Sequence, residues 1–270
     1  MQYVLSGGTG RGLKGRFPFR LGTTSYILPA DIVPNVEYLA PMVDDVEVLI
    51  FESDEISSLP DTAAIERLVE LALRHHLTYT VHLPLDIDLG ACTDRRQAVG
   101  KCLRVIDRVA RIRPFAYVLH LEPPDRRAHA PDETAEWVQA ADESVGEIVE
   151  SIGDPGLLCA ETVAVPFERI EEIIVKHGLS ICLDIGHMAL HGYALDACLR
   201  RCFAKCRVIH LHGLNDGQDH RHIKLLDRAW RELLMDYLYA DAGRERVLTI
   251  EVFAQEDLDI SLDEMRTHIR

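Results

Sequence analysis

Short apolar runs and amphipathic helical stretches take turns along this chain, and no other feature narrows its possible folds as far. RLGTTSY (20–26), VEVLIFES (46–53), TYTVHLP (78–84), FAYVLHLEP (115–123), GLLCAETV (156–163), SICLDIG (180–186), RVIHLHG (207–213) and RVLTIEVF (246–253) read as strands. Several are apolar nearly throughout, as parallel strands are when both faces are covered. Between them, 62–76 is an amphipathic helix with Asp61 as N-cap, 93–112 a helix that Thr93 can cap, and 132–152 a third. Further helices follow over 166–177 from Pro166, near 192–205, over 224–240, and over 261–270 at the end. Eight βα units in about 250 residues predict an α/β chain folded as a TIM (β/α)8 barrel. An open doubly wound sheet, the alternative, gathers its ligands at one switch point and does not account for candidates on six strands. The barrel is expected to span 19–270 as a single domain. Residues 1–18, with SGGTGRGLKG, lack the GKS or GKT ending of a phosphate-binding loop and are expected to form a mobile or loosely packed leader.

Metal-binding residue types recur at one phase of this repeat. His82, His120, Glu161, Asp184, His212 and Glu251 each end a different apolar run, where the last inward residue of a strand points over the barrel mouth. His187, three residues after Asp184, reaches the same mouth, and His222 lies ten residues past His212 in the following loop. Imidazole and carboxylate together suit zinc and similar divalent ions, and a set this large has donors for two or three of them. Any one buried histidine is more often a satisfied core residue; the joint pattern is what points to a polynuclear centre. His210 and His212 face the same side of their strand, so one is expected to be a ligand and the other a deeper supporting group. His75, His76, His129, His177 and His268 are read as solvent or packing residues.

The formal charge of −15 makes DNA a poor default partner, since affinity for it comes largely from basic contacts to phosphate. No run reaches the roughly 18 apolar residues of a membrane helix, and no signal segment opens the chain, so a cytoplasmic protein off the membrane is expected. The seven cysteines are odd in number and lack a CxxC pair, which argues against disulfides. Cys198, Cys202 and Cys206 fall at helical spacing and are read as packing.

At the ligand positions the chain resembles the xylose-isomerase-like TIM barrels, the superfamily of endonuclease IV and the sugar-phosphate isomerases and epimerases. The resemblance covers 78–253, and its most specific piece is LDIGHMALHGY (183–193), similar to the strand-six Asp-x-x-His motif of endonuclease IV. It implies that His82, His120 and Glu161 hold one zinc. Glu161 then bridges to a second ion on Asp184, His212 and Glu251, and His187 and His222 hold a third. The family places an aspartate two residues before that last histidine; here His220 stands there, with Asp219 beside it, so either is the candidate third-site ligand. Residues 21–53 resemble the cobamide-remodelling phosphodiesterases, which cleave the phosphoribosyl linkage of a nucleotide loop to give cobinamide phosphate and a base riboside.

The expected function is thus metal-dependent hydrolysis of a phosphodiester, with Glu161 and Glu251 as the catalytic carboxylates and a corrinoid as small-molecule substrate. Closely spaced ions suit displacement at phosphorus. The alternative is a sugar or sugar-phosphate isomerase or epimerase using a single ion on Glu161, Asp184, His212 and Glu251, with carboxylates moving a proton α to a carbonyl. A corrinoid-binding protein without turnover is the third reading. Thr24 and Tyr26 at the end of strand one, and Arg221 and Lys224 after strand seven, are the candidate substrate contacts. Arg95, Arg96, Arg126 and Arg127 lie near other long connections, where a solvated surface is their commoner role. Oligomeric state is left open by the sequence.

Overall fold

A strand buried on both faces has nowhere to end its hydrogen bonding except on another strand, and here the ring closes. In a computed structural model, which describes residues 12–52, 56–85, 87–91, 94–122 and 135–270, eight parallel strands form a closed barrel. They are β1 (Arg20–Thr24), β2 (Asp45–Leu49), β3 (Thr78–His82), β4 (Ala116–His120), β5 (Leu158–Glu161), β6 (Ser180–Asp184), β7 (Cys206–Leu211) and, after a two-stranded hairpin of β8 (Gly213–Asn215) and β9 (Gln218–Arg221), β10 (Val247–Ile250). The seam pairs Arg20 with Val247 and Thr23 with Ile250, and the hydroxyls of Thr23 and Thr24 donate across it to the carbonyls of Ile250 (2.8 Å) and Val252 (2.7 Å). The TIM barrel expected from the alternation is the fold observed. No helix among the described residues is long and apolar enough to cross a membrane.

The outer helices are α1 (Ile32–Leu39), α2 (Thr62–His75), α3 (Arg95–Val109), α4 (Ala135–Ile152), α5 (Glu171–His177), α6 (Ile185–Leu190), α7 (Leu195–Cys202), α8 (Arg228–Ala240) and α9 (Gln255–Arg266). Asp61 caps α2 as its sequence predicts, accepting from the Ala64 N–H at 2.8 Å. The main apolar core lies between helices and barrel wall. A second cluster of Phe115, Ala116, Val118, Cys159, Cys182, Val208 and Val247 fills the lower barrel interior. Val118, Cys159, Cys182, Thr249 and His210 each precede a mouth residue by two, so the period-2 pleat aims both layers at the same axis.

Several boundaries depart from the sequence reading. The segment 166–177 is broken: Pro166 is extended, Phe167–Arg169 forms a 3-10 turn, and α5 starts only at Glu171. The stretch near 192–205 holds α7 and a 3-10 turn at Phe203–Lys205, while α6 lies ahead of it across a turn at Gly192, whose φ of +71° suits glycine. Helix α7 ends at Cys202 and Cys206 begins β7, so the three cysteines do not share one helix. Strand-like 156–163 shortens to β5, preceded by a 3-10 turn at Pro155–Leu157. Helix α1 and the β8–β9 hairpin are elements the sequence reading lacked. Thr93, Cys92, Arg126, Arg127 and His129 lie outside the described residues, as do 1–11 of the expected leader. The rest of that leader is not loose: Leu13 is buried, the Lys14 ammonium donates to the Val43 carbonyl at 2.6 Å, and Phe17 stacks on Phe19 at 5.0 Å.

Two buried ionic groups anchor the end of the barrel away from the mouth. The Arg246 guanidinium, 1% exposed, donates to the carbonyls of Cys206 (2.9 Å) and Phe203 (3.1 Å) and to Asp241 (2.6 Å), and lies over the Phe203 ring. Asp45 accepts from the Thr78 hydroxyl at 2.7 Å and the Thr80 N–H at 3.2 Å, tying β2 to β3. Burial pushes its carboxyl up to about 6, against those hydrogen bonds. Because the folded value lies above the unfolded one, this group's contribution is fully present below about pH 4 and is lost as pH rises through about 6. Asp45→Asn does not titrate there. In denaturant melts the wild type should therefore lose on the order of 2 kcal/mol relative to Asp45→Asn between pH 4 and pH 7; parallel stability curves would contradict it.

Candidate metal centre

The strand ends deliver their polar side chains to one cleft of about 400 Å³, lined by His82, His120, Glu161, Asp184, His187, His220 and Glu251 and walled by Tyr26, Leu49, Phe51, Leu85, Val163 and Phe253. Three donor groups lie side by side in it, the donor atoms within each being no more than 4.8 Å apart: His82, His120 and Glu161; Asp184, His212 and Glu251; and His187, His212 and His220.

In the first group Glu161 Oε2 stands 3.0 Å from His120 Nε2 and 3.4 Å from His82 Nε2. It has no hydrogen-bond partner, although fully buried. The Nδ1–H of His82 donates to the Leu83 carbonyl at 2.8 Å, which leaves the Nε2 lone pair facing the cluster. Burial opposes the charge on Glu161, yet His210, His120 and His82 hold its carboxyl well below the usual range.

In the second group Asp184 N-caps α6 through the His187 N–H at 2.9 Å, and its other oxygen accepts a short bond from His187 Nδ1. Its Oδ1 lies 3.3 Å from His212 Nε2. Glycine is required beside it: a Cβ on Gly186 would lie 2.2 Å from the His212 ring, so the ring rests on bare backbone. Glu251 follows β10, and burial lifts its carboxyl to about 7, with His210 opposing.

The third group depends on the β8–β9 hairpin, a two-residue turn of Asp216 and Gly217, both with φ > 0. It carries His220, itself at φ +52°, a costly conformation for an imidazole residue. Its ring is wedged among His212 (4.4 Å between centroids), His187 (5.3 Å) and Phe253 (4.9 Å). Burial, then His212, lowers His220 to about 4, so it stands as a neutral donor. Asp219 also reaches His187 Nε2, at 3.3 Å. The hairpin thus brings His220 and Asp219 together at the third group. His222 is not in these groups; its backbone N–H donates to Asp257 at 3.0 Å, and its Nδ1 is buried without a hydrogen-bond partner.

The expected substrate contacts separate. Tyr26 lines the cleft, edge-on to Phe51 at 5.6 Å. Thr24 is fully buried in the barrel seam, Arg221 lies against Asp257 at 3.3 Å, and Lys224 is exposed on a turn; none of these three lines the cleft. Arg95 is held by Glu147 on α4 at 2.7 Å, outside the barrel. Glu47 is the residue the sequence reading missed. It is a carboxylate in the middle of an apolar strand, in phase with Leu49 at the mouth, and that phase was its signal. It is fully buried, and His210 Nε2 donates to it at 2.8 Å. Burial opposes charge on His210, but its carboxylate neighbours and Cys182 raise it well above the usual range.

The residues fit divalent cations. Buried donor atoms without any hydrogen-bond partner include Glu161 Oε2, His120 Nδ1, His212 Nε2, His220 Nδ1 and Glu251 Oε2, an accumulation that proteins avoid unless something else satisfies them.

No family model matches the chain, and no curated protein matches it. Solved structures do. A D-tagatose 3-epimerase-like protein superposes with a TM-score of 0.72 at 21% identity, over 92% of this chain and 96% of that one. A xylose isomerase domain protein from Planctomyces limnophilus gives 0.64 at 17%, over 93% and 96%. The IOLI protein with a bound zinc atom gives 0.64 at 14%, over 93% and 95%. At these identities the likeness establishes the fold.

Two outcomes follow from the geometry. Gly186→Ala should displace His212 and lower zinc content per chain, read by elemental analysis after gel filtration, with an unchanged circular dichroism spectrum. Asp184 overrides the effect of burial and holds His187 up to about 9, so a cation must displace its proton. Zinc retained on dialysis at pH 8 should be lost by about pH 5.5; equal retention at both would contradict the assignment.

Proposed function

We infer that this chain is a metal-dependent hydrolase of a phosphodiester whose substrate carries a broad apolar face, with a cobamide nucleotide loop as the specific candidate. The single observation that carries this is the number of donors. Three adjoining groups exceed what one ion takes, and a one-ion site would leave His82, His120, His187 and His220 without a role. Divalent ions held there would supply a polarised water and charge neutralisation at phosphorus.

The chain's own residues divide the remaining work. His82, His120 and Glu161 hold one side of the cleft. Asp184, His212 and Glu251 hold the middle, and His187 and His220, with Asp219, the far side. No Lys or Arg lines the cleft among the described residues, so a polyanion finds no cationic track there, and the charge of −15 repels one. The rim is apolar instead: Tyr26, Phe51, Leu85 and Phe253 are each 38–43% exposed. Such a contiguous patch marks a binding surface. At about 400 Å³ the cleft has room for a nucleotide-sized fragment, with a flat macrocycle resting on the rim. Tyr26, Leu49 and Phe51 all come from 21–53, the segment whose sequence resembles the cobamide-remodelling enzymes.

Sugar epimerisation is the second reading, and the fold likenesses favour it. The solved structures resembling this chain include an L-ribulose 3-epimerase and a D-psicose 3-epimerase. That chemistry would use Glu161, Asp184, His212 and Glu251 around one ion, with a carboxylate moving a proton α to a carbonyl. Donor number and the apolar rim favour hydrolysis.

Elemental analysis followed by incubation with an adenosylated cobamide, and separately with ketohexoses, separates the readings. Expected are two or three ions per chain and release of cobinamide phosphate and a base riboside. His120→Ala and Glu161→Ala should each lower that turnover by about 100-fold while leaving the fold intact. One ion per chain and an epimerised sugar would establish the second reading instead.

A further inference from the structure

Beneath the mouth, the barrel axis holds a polar layer that the cleft does not reach. Glu47 on β2 and His210 on β7 are both 0% exposed. The His210 Nε2–H donates to Glu47 Oε2 at 2.8 Å, and the Thr249 hydroxyl lies 3.4 Å from the same oxygen. The other ring nitrogen is differently placed. His210 Nδ1 lies 2.9 Å from Glu161 Oε1 and 3.3 Å from Glu251 Oε2, yet has in-line hydrogen-bond geometry with neither. An imidazole with one nitrogen fixed on a carboxylate and the other aimed between two further carboxylates has the arrangement of a ligating histidine and its orienting anion.

We propose that Glu47 is a positioning residue that fixes His210 as a cation ligand, so that an inner donor set of His210, Glu161 and Glu251 underlies the cleft. The inference rests on the metal-centre reading above and extends it one layer down the barrel. Glu47 does not line the cleft. Its effect runs through the imidazole: with Nε2–H held by Glu47, a cation that displaces the other ring proton finds its donor at Nδ1. Losing the carboxylate frees the ring to rotate or to carry its proton on Nδ1, and either change withdraws the donor. His210 is the residue shared by two donor groups, one with Glu47 and Glu251 and one with Glu161 and Cys182, each with donor atoms within 4.8 Å of one another, and its Nδ1 lies near both Glu161 and Glu251.

The test is a zinc titration of the full chain against a competing chelator, with nitrogen-15 spectra of the zinc-loaded protein reporting the His210 tautomer. Glu47→Ala should weaken zinc binding by about 10- to 100-fold and abolish the Nε2–H signal, whereas Glu47→Gln, which keeps an acceptor, should restore most of both. Thr249→Val, a mild change two bonds removed, should shift affinity in the same direction by less, and it serves if Glu47→Ala does not fold. A purely structural Glu47 predicts the opposite split: a lower melting temperature of the zinc-free protein with unchanged zinc affinity, and that result would overturn the proposal. Wild-type protein that binds no zinc would instead remove the metal-centre reading itself, so the two failures are distinguishable.

Discussion

Carboxylates taken out of water at the axis of a closed barrel must meet positive charge, and this requirement organises everything above the lower core. Glu47, Glu161, Asp184 and Glu251 are each no more than 7% exposed. Isolated, any one would be expensive to bury. Each instead faces imidazole: Glu47, Glu161 and Glu251 face His210, and Asp184 faces His187 and His212. The barrel wall keeps water out and makes this matching strict, and the same dryness gives a bound cation its strength.

The geometry that follows is layered. Apolar side chains fill the lower interior, the Glu47–His210 pair sits over them, and the donor groups open into the cleft above. Strands end on four of the mouth residues, His82, His120, Glu161 and Asp184, and His212 and Glu251 directly follow two more, while a two-residue hairpin turn places His220. The apolar rim comes partly from residues after β1 and β2, partly from those after β3, β5 and β10. Most donors thus come from strand ends and most of the apolar wall from the loops that follow them.

Much of this was legible in the chain itself. Alternation gave the barrel, and the period-2 phase of a buried strand pointed His82, His120, Glu161, Asp184, His212 and Glu251 at one mouth. What was not legible depended on geometry outside a strand. The two residues of the Asp216–Gly217 turn carried a hairpin signal, but only its fold-back shows that His220 and Asp219 both reach His187. Glu47 is in phase with the mouth, yet one charged residue in an apolar run looks the same whether it caps an edge or faces an axis. Thr24 and Arg221 lie off the cleft for a simpler reason. Each has a closer protein partner, the Val252 carbonyl for one and Asp257 for the other.

Arg246, at the opposite pole, has a consequence for how such a barrel comes apart. Its guanidinium is satisfied by the carbonyl of Phe203 in the turn before β7, by that of Cys206 at the start of β7, and by the Asp241 carboxylate just past α8. Peeling the last strand away would strand a cation in a dry interior and uncover those carbonyls together. The carboxy-terminal seam therefore does not fray residue by residue; it releases with its neighbouring helix and strand as one cooperative unit.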